Sequence, residues 1–170
     1  VFLSTRDIDP LVITLGYDLT KVACMEVALL VDNLAGSLFI LVITDHHECQ
    51  ENLPDAIAII NPKRKDSTYP FNKLAGVGVV YKLVCALDIL FGTAFANDYI
   101  DLVAVGTIAD IMPLLDENRY IVKQGIEKIS TSPNFGLKCL IDLCVSNFPV
   151  NSGSIGYAVA PRINAAGRMA

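Results

Sequence analysis

The two histidines of the chain are adjacent and follow an aspartate, at positions 45–47. Carboxylate and imidazole together suit Mn, Zn or Fe as ligands, and a carboxylate-rich site suits Mn or Mg. The three residues follow an apolar run, residues 38–43, whose β-branched and aromatic content is typical of a buried strand. Because ligands of open α/β sheets bind outside the carboxyl ends of strands, Asp45, His46 and His47 are candidate site residues. An ordinary polar exit from a strand is the competing interpretation.

Asp110 is a second candidate, because it is the only acid in an apolar stretch that begins after Asp101. A carboxylate buried in such a stretch needs a partner, and a metal ion is one possible partner. The alternative for Asp110 is a helix-end aspartate that points to solvent.

Three further segments offer groups that suit phosphate. Gly76 and Gly78 lie at a predicted helix start, where backbone N–H groups can cradle phosphate, although close packing explains them equally well. The basic run at residues 63–65 can contact phosphate or can be a solvated loop. Near the end of the chain, guanidinium and amide groups suit phosphate. These groups belong to Arg162, Asn164 and Arg168.

Alternating strands and helices are predicted to position these residues. The connection at residues 16–37 is long enough for a parallel crossover, and Thr20 and Gly36 are suitable cap residues for a crossover helix. The order of elements predicts an α/β fold, with a parallel sheet, helices on both of its faces and a helical second half. The pattern places strands at 11–15, 38–44 and 56–60, and helices at 20–34, 74–91, 98–111, 118–130 and 135–147.

Composition limits the class of protein. The 170 residues suit one domain, or one domain with part of a second. Mean hydropathy is +0.50, but Lys82 and Asp88 interrupt the richest apolar window, so a buried helix is expected there rather than a membrane span. Five cysteines without a C-x-x-C pair favour reduced thiols and a cytoplasmic location. Because the net charge is −5, a nucleic-acid partner would need a local basic patch.

Several motifs together resemble the DHH phosphoesterase superfamily, and within it the RecJ-like exonucleases. Residues 43–48 read ITDHHE and look like the signature of the superfamily. The segments at 58–64, 69–70, 74–79 and 104–114 are similar to later motifs of the RecJ-like branch, as are 118–119 and 161–169. Each motif is modest alone, and the ordered set is specific. The resemblance implies a single-strand-specific 5′→3′ DNA exonuclease that uses a divalent metal, Mn or Mg.

The resemblance also implies a role for each matching residue. His46 and Asp110 match metal ligands, and Asp45 matches a ligand or a neighbouring carboxylate. His47 would face the scissile phosphate as an electrostatic or acid group. The substrate-phosphate segment corresponds to Arg162, Asn164 and Arg168.

The chain departs from the family pattern at its upstream carboxylates. Asp7-Ile8-Asp9 has the spacing of the first motif but precedes a strand. At the next aspartate position the chain has Gly16, so Asp18 is the expected substitute ligand. Asp32 is the alternative, but it would require a hairpin before the DHH strand, and a hairpin would place it at the opposite end of the sheet from Asp45.

These observations give an organisation and a function. Residues 1–150 are expected to form an N-terminally truncated DHH domain, and residues 151–170 to begin a linker to a second domain. The expected function is exonucleolytic hydrolysis of single-stranded DNA in repair and recombination, incomplete in this chain, with a single-strand-binding protein or helicase as partner and no membrane association. Two alternatives stay open: a phosphoesterase of short oligonucleotides or phosphoadenosine phosphate, and a decayed domain that binds without turnover.

Overall fold

The computed structural model describes residues 27–31, 40–145 and 149–166. The chain divides into two compact units, Val1–Tyr69 and Pro70–Ala170, and each is considered by itself. The first holds strands and loops, and the second is helical. The α/β class predicted from the sequence is therefore confirmed.

The described residues of the first unit include a three-stranded sheet. Its strands are β1 (Val27–Val31), β2 (Ile40–Thr44) and β3 (Ala58–Ile60), in the spatial order β1-β2-β3. β2 and β3 are parallel, with Thr44 opposite Ile60. Ile43 and Thr44 are both buried although they point to opposite faces, which is the behaviour expected of a strand covered on two sides.

β1 corrects the expectation of a crossover helix over residues 20–34. Residues 27–31 form a strand that runs antiparallel to β2, with Val27 opposite Thr44 and Val31 opposite Ile40. The sequence VALLV is a short apolar run with β-branched ends, and periodicity does not separate a strand from a helix over such a length. β1 forms a strand because all five of its residues pair with β2. Asp32 itself lies outside the described residues.

The second unit contains helices α1 to α4, which the sequence predicted to within a few residues. Asn147, the predicted end of α4, lies outside the described residues. The bounds are α1 Gly76–Phe91, α2 Ala96–Ala109, α3 Asp116–Thr131 and α4 Phe135–Cys144. The remaining turns are α5 (Ser152–Ser154), a π-helix (Ile155–Val159) and α6 (Ala160–Ala166).

Helix α2 lies at the centre of the second unit and packs closely on α3. A Cβ placed on Gly125 of α3 would lie 2.6 Å from the carbonyl oxygen of Ile100 and would also overlap the side chain of Ala104. The two backbones therefore approach as closely as a residue without a side chain permits. The buried cluster beside this contact joins α2 to α4 and the π-helix through apolar side chains. Its members include Val105, Ile129, Ile141, Ile155 and Val159.

Two buried aspartates hold helix junctions in the second unit. Asp101 is fully buried and accepts hydrogen bonds from the backbone N–H and the side-chain amide of Asn134, each at 2.7 Å. Asp88, at the end of α1, accepts from the hydroxyl of Thr93 and from the first N–H groups around α2. The bond from Thr93 and these N–H groups hold the pKa of Asp88 below its usual range. Both carboxylates therefore have structural partners within the protein.

None of the described helices is both long and apolar enough to cross a membrane. The apolar window around α1 forms a helix of the second unit, as predicted, but its last turn is exposed rather than buried, as Ile89, Leu90 and Phe91 show.

Candidate metal centre

Asp45 is the first residue after β2, and the parallel ladder continues to it through a 3.0 Å hydrogen bond from its N–H to the carbonyl of Ile60. Its Oδ1 accepts from the N–H of His46 at 2.7 Å and from the N–H of His47 at 3.2 Å. Because the Asp45 carboxylate accepts hydrogen bonds from two backbone N–H groups of the following loop, the chain bends there and both imidazoles lie beside the carboxylate.

The same oxygen of Asp45 lies 2.8 Å from Nδ1 of His47. A carboxylate can only accept, so Nδ1 of His47 carries the proton of this bond. In the neutral imidazole the lone pair is then on Nε2, which is the tautomer suited to bind a cation or to exchange a proton with a substrate. The described contacts of Asp45 use Oδ1, which leaves Oδ2 to face other groups.

His46 is buried, whereas the side chain of His47 is two-fifths exposed. Their ring centroids are 4.0 Å apart and the rings are tilted by 46°. One histidine is therefore enclosed at the strand end, and the other reaches the surface beside it. This pairing gives one shielded and one accessible nitrogen donor.

Asn61 fixes this loop, and sequence reasoning did not identify it as a site residue. Its side-chain amide donates to the carbonyl of His47 at 2.9 Å, and its Oδ1 accepts from the N–H of Lys63 at 2.9 Å. The loops after β2 and β3 are thus joined at the edge of the sheet by one buried side chain. Residues 58–64 had indicated only a family resemblance, since a hydrogen bond between residues 14 positions apart gives no local sequence pattern.

The ligand atoms of Asp45, His46 and His47 all lie within 4.8 Å of one another. Bonds of about 2.0–2.2 Å to one ion allow ligand atoms to be at most about 4.4 Å apart, so a small side-chain rotation completes the fit. One carboxylate and two imidazoles suit Mn better than Mg, which prefers oxygen ligands. The three residues therefore fit a partial coordination sphere for a divalent ion.

Neighbouring groups add little to this donor set. Burial, reinforced by the charge of Asp45, raises the pKa of the Cys49 thiol, which disfavours the thiolate that binds metals. Lys63 pairs with Glu48 at 3.1 Å. Arg64 donates to the carbonyl of Ile59 and to both carboxylate oxygens of Asp66, which lowers the pKa of Asp66. The basic run at 63–65 is therefore largely engaged in local structure.

Asp110 belongs to the second unit and is the C-cap of α2, where its residue is exposed. The helix ends in a Schellman motif, with bonds from Ile111 to Ile108 and from Met112 to Thr107. Ile111 takes φ 55°, a left-handed conformation that costs a residue with a β-carbon about 1–2 kcal/mol. The helix-end interpretation of Asp110 thus describes its backbone, while its role as a ligand stays a prediction.

The remaining predicted site residues are only partly described. Arg162 and Asn164 are exposed on α6, two positions apart, so the helix does not bring them to one face. The guanidinium of Arg162 donates to the carbonyl of Ala158 at 2.6 Å. Arg168 and Asp18 lie outside the described residues. At the start of α1, a Cβ on Gly78 would meet the side chain of Leu74, four residues earlier, at 3.3 Å, and the phosphate interpretation of these glycines stays a prediction.

The model of the DHH family, N-terminal domain, matches residues 7–107, which include the aspartate and the two adjacent histidines at the end of β2. This match covers more than half of the chain. The chain therefore belongs to the DHH family, as its motifs had indicated.

Among the curated relatives are single-stranded-DNA-specific exonucleases named RecJ. The chain is 46% identical to that of Bacillus subtilis over 130 residues, which are 76% of this chain and 16% of the relative. It is 37% identical to that of Escherichia coli over 142 residues, 25% of that relative. The chain thus spans about a quarter or less of the length of these proteins.

Solved structures agree with the sequence relatives. An exonuclease RecJ bound to manganese matches with a TM-score of 0.67 at 34% identity, over 75% of this chain and 32% of that chain. RecJ from Thermus thermophilus in complex with Mg²⁺ matches with a TM-score of 0.60 at 34% identity, over 75% of this chain and 19% of that one.

Proposed function

We propose that this chain is the DHH part of a metal-dependent 5′→3′ exonuclease that hydrolyses single-stranded DNA in repair and recombination. The observation that carries the proposal is the arrangement at the end of β2, where Asp45, His46 and His47 present ligand atoms within 4.8 Å of one another. Its support is the resemblance to relatives named for this activity, two solved structures of which carry Mn or Mg.

Each site residue receives a role in this proposal. His46 and Asp110 are metal ligands, with Asp18 as a further carboxylate ligand and Asp45 as a ligand or an orienting group. A bound Mn or Mg would activate water and stabilise the negative charge that builds up on the phosphate. His47 is assigned to the phosphate rather than to the metal. Asp45 holds it through Nδ1, so its Nε2 faces outward and, when protonated, donates a proton to the leaving oxygen.

The second half of the proposal concerns the polynucleotide. Arg162, Asn164 and Arg168 contact backbone phosphates, since guanidinium and amide donors match phosphate oxygens. Residues 1–150 form the DHH domain, and residues 151–170 begin the linker. The helical character of α6 is what a linker helix would have.

Partners and location complete the proposal. We infer that single-stranded DNA is the substrate, and that a single-strand-binding protein or helicase supplies it. A cytoplasmic location is consistent with the described cysteines, Cys49, Cys85, Cys139 and Cys144, which are all free thiols.

A graft tests the proposal. The segment of this chain that matches the Bacillus subtilis relative would replace the corresponding segment of that relative. The chimera should release nucleotides from 5′-labelled single-stranded DNA only when Mn or Mg is present. His47→Ala in the chimera should lower the rate by about 10²–10⁴-fold, the usual contribution of a proton donor.

Two results would contradict the proposal. A folded chimera that binds Mn but releases no nucleotide would favour the decayed binding domain. A chimera that cleaves dinucleotides or phosphoadenosine phosphate and ignores longer strands would favour the small-substrate phosphoesterase. Lys123→Ala is a matched control, because this exposed lysine of α3 lies outside every candidate site and should leave the rate unchanged.

A further inference from the structure

An open cavity of about 520 Å³ lies between α1 and α3, wholly within the second unit. This volume is within the range of small-molecule sites. The proposed nuclease chemistry assigns it no role, and the residues that line it come from two helices. They are Tyr81, Lys82, Cys85, Asp116, Glu117, Tyr120 and Ile121.

Aromatic and apolar groups form one part of the lining. Ile121 is buried, Tyr81 and Cys85 are half-buried, and Tyr120 is mostly exposed. Burial and the nearby Cys85 thiol raise the pKa of Tyr81 to about 12, so its phenol stays neutral and keeps its donor proton. Two phenol rings beside an aliphatic side chain suit a flat aromatic ligand, which gains from stacking.

Charged groups at the rim select the polar edge of such a ligand. The ammonium of Lys82 lies 3.0 Å from a carboxylate oxygen of Glu117, and Asp116 adds a second carboxylate. Two carboxylates against one ammonium disfavour a phosphate at this rim. The Lys82 ammonium can donate and the Glu117 carboxylate can accept. This pair suits the edge of a nucleic-acid base that has a carbonyl oxygen next to N–H groups.

We propose that this cavity is a binding site for a guanine base. The O6 of guanine accepts from Lys82, its neighbouring N1–H and N2–H groups donate to Glu117, and its ring stacks against Tyr120. Guanine can donate two adjacent N–H groups to the Glu117 carboxylate while O6 accepts from Lys82. Adenine and cytosine can donate only one N–H beside a ring-nitrogen acceptor, so they are expected to bind this rim more weakly.

The test is ligand-observed NMR titration of the 170-residue chain with guanosine, adenosine and guanosine 5′-monophosphate, in the presence of a chelator. Guanosine should bind, adenosine should bind at least about tenfold more weakly, and the phosphate should not improve affinity. Tyr120→Ala should lower the affinity for guanosine by about tenfold or more through lost stacking. Glu117→Gln should remove the preference for guanosine over adenosine.

Tyr157→Ala is the matched control, because Tyr157 is 91% exposed on the π-helix and does not line the cavity. Equal binding of both nucleosides, absence of binding at millimolar guanosine, or an equal loss in both tyrosine variants would overturn the proposal. Because chelation removes divalent metal and the readout is binding, failure of the nuclease proposal would leave this result unaffected.

Discussion

Asp45 and Asp101 accept similar numbers of hydrogen bonds but have different structural roles. Oδ1 of Asp45 takes its donors from His46 and His47, the next two residues. Asp101 takes its long-range donors from Asn134, 33 residues away. A carboxylate bonded to its own loop shapes that loop, whereas one bonded to a distant element joins two parts of the fold.

Exposure follows the same division. The side chain of Asp45 is one-fifth exposed and its Oδ2 is not used by these bonds, whereas Asp101 is fully buried. The number of hydrogen bonds alone would rank the two residues alike. The origin of the donors and access to the second oxygen separate a candidate metal ligand from a structural carboxylate.

The largest effect on stability is expected for Asp101→Ala. It removes the fully buried carboxylate that accepts from two part-buried N–H groups of Asn134, at a cost of about 2–4 kcal/mol in the free energy of unfolding. Chemical denaturation followed by circular dichroism measures this loss. The comparison between the two aspartates would fail if stability changed by less than about 1 kcal/mol.

Asp45→Ala should have the opposite profile. Removing a ligand that also orients His47 should weaken Mn binding by more than about 100-fold, and the free energy of unfolding should change little because the lost bonds are local. Electron paramagnetic resonance of free Mn²⁺ measures the affinity. Unaltered affinity would remove Asp45 from the candidate metal centre.

Gly125→Ala sharpens the structural side of the comparison, because a Cβ there would lie 3.4 Å from the Cα of Asp101 and closer still to the carbonyl of Ile100. Overpacking against backbone should cost about 1–3 kcal/mol. Gly136→Ala on α4 is the control, since nothing lies within 4 Å of its added Cβ. That variant should be neutral or gain up to about 1 kcal/mol of helix propensity. Thermal unfolding of both variants measures this difference, and equal stability of the two would contradict the prediction.

The smallest effect on Mn affinity is expected for Asn61→Ala, which removes the hydrogen bonds that join the loop after β2 to the loop after β3. Mn affinity should fall by about tenfold, as is usual for a group that orients ligands without binding the metal. Asn151→Ala, which removes the cap of α5, should leave Mn affinity unchanged. If the two asparagine variants behaved alike in the Mn titration, Asn61 would have no special role.

The sequence predicted the local features of this molecule better than the distant ones. β2, its polar exit and the four long helices follow from apolar runs and their immediate neighbours. The strand at 27–31 was wrongly predicted as helix, because five apolar residues fit either period and only pairing with β2 settles the choice. The structural roles of Asn61 and Asp101 depend on partners 14 and 33 residues away, which leave no mark in a local pattern.

The π-helix at Ile155–Val159 makes the end of the chain sensitive to a single inserted or deleted residue. Each α-helical residue advances the chain by about 100° around the axis, and a π-turn holds one residue more than an α-turn. A deletion within it would rotate all of α6 by about 100° and turn Ala160 out of its buried position. Insertion or deletion of one codon in the segment that encodes the π-helix would thus rotate α6 about its axis without changing any residue of α6.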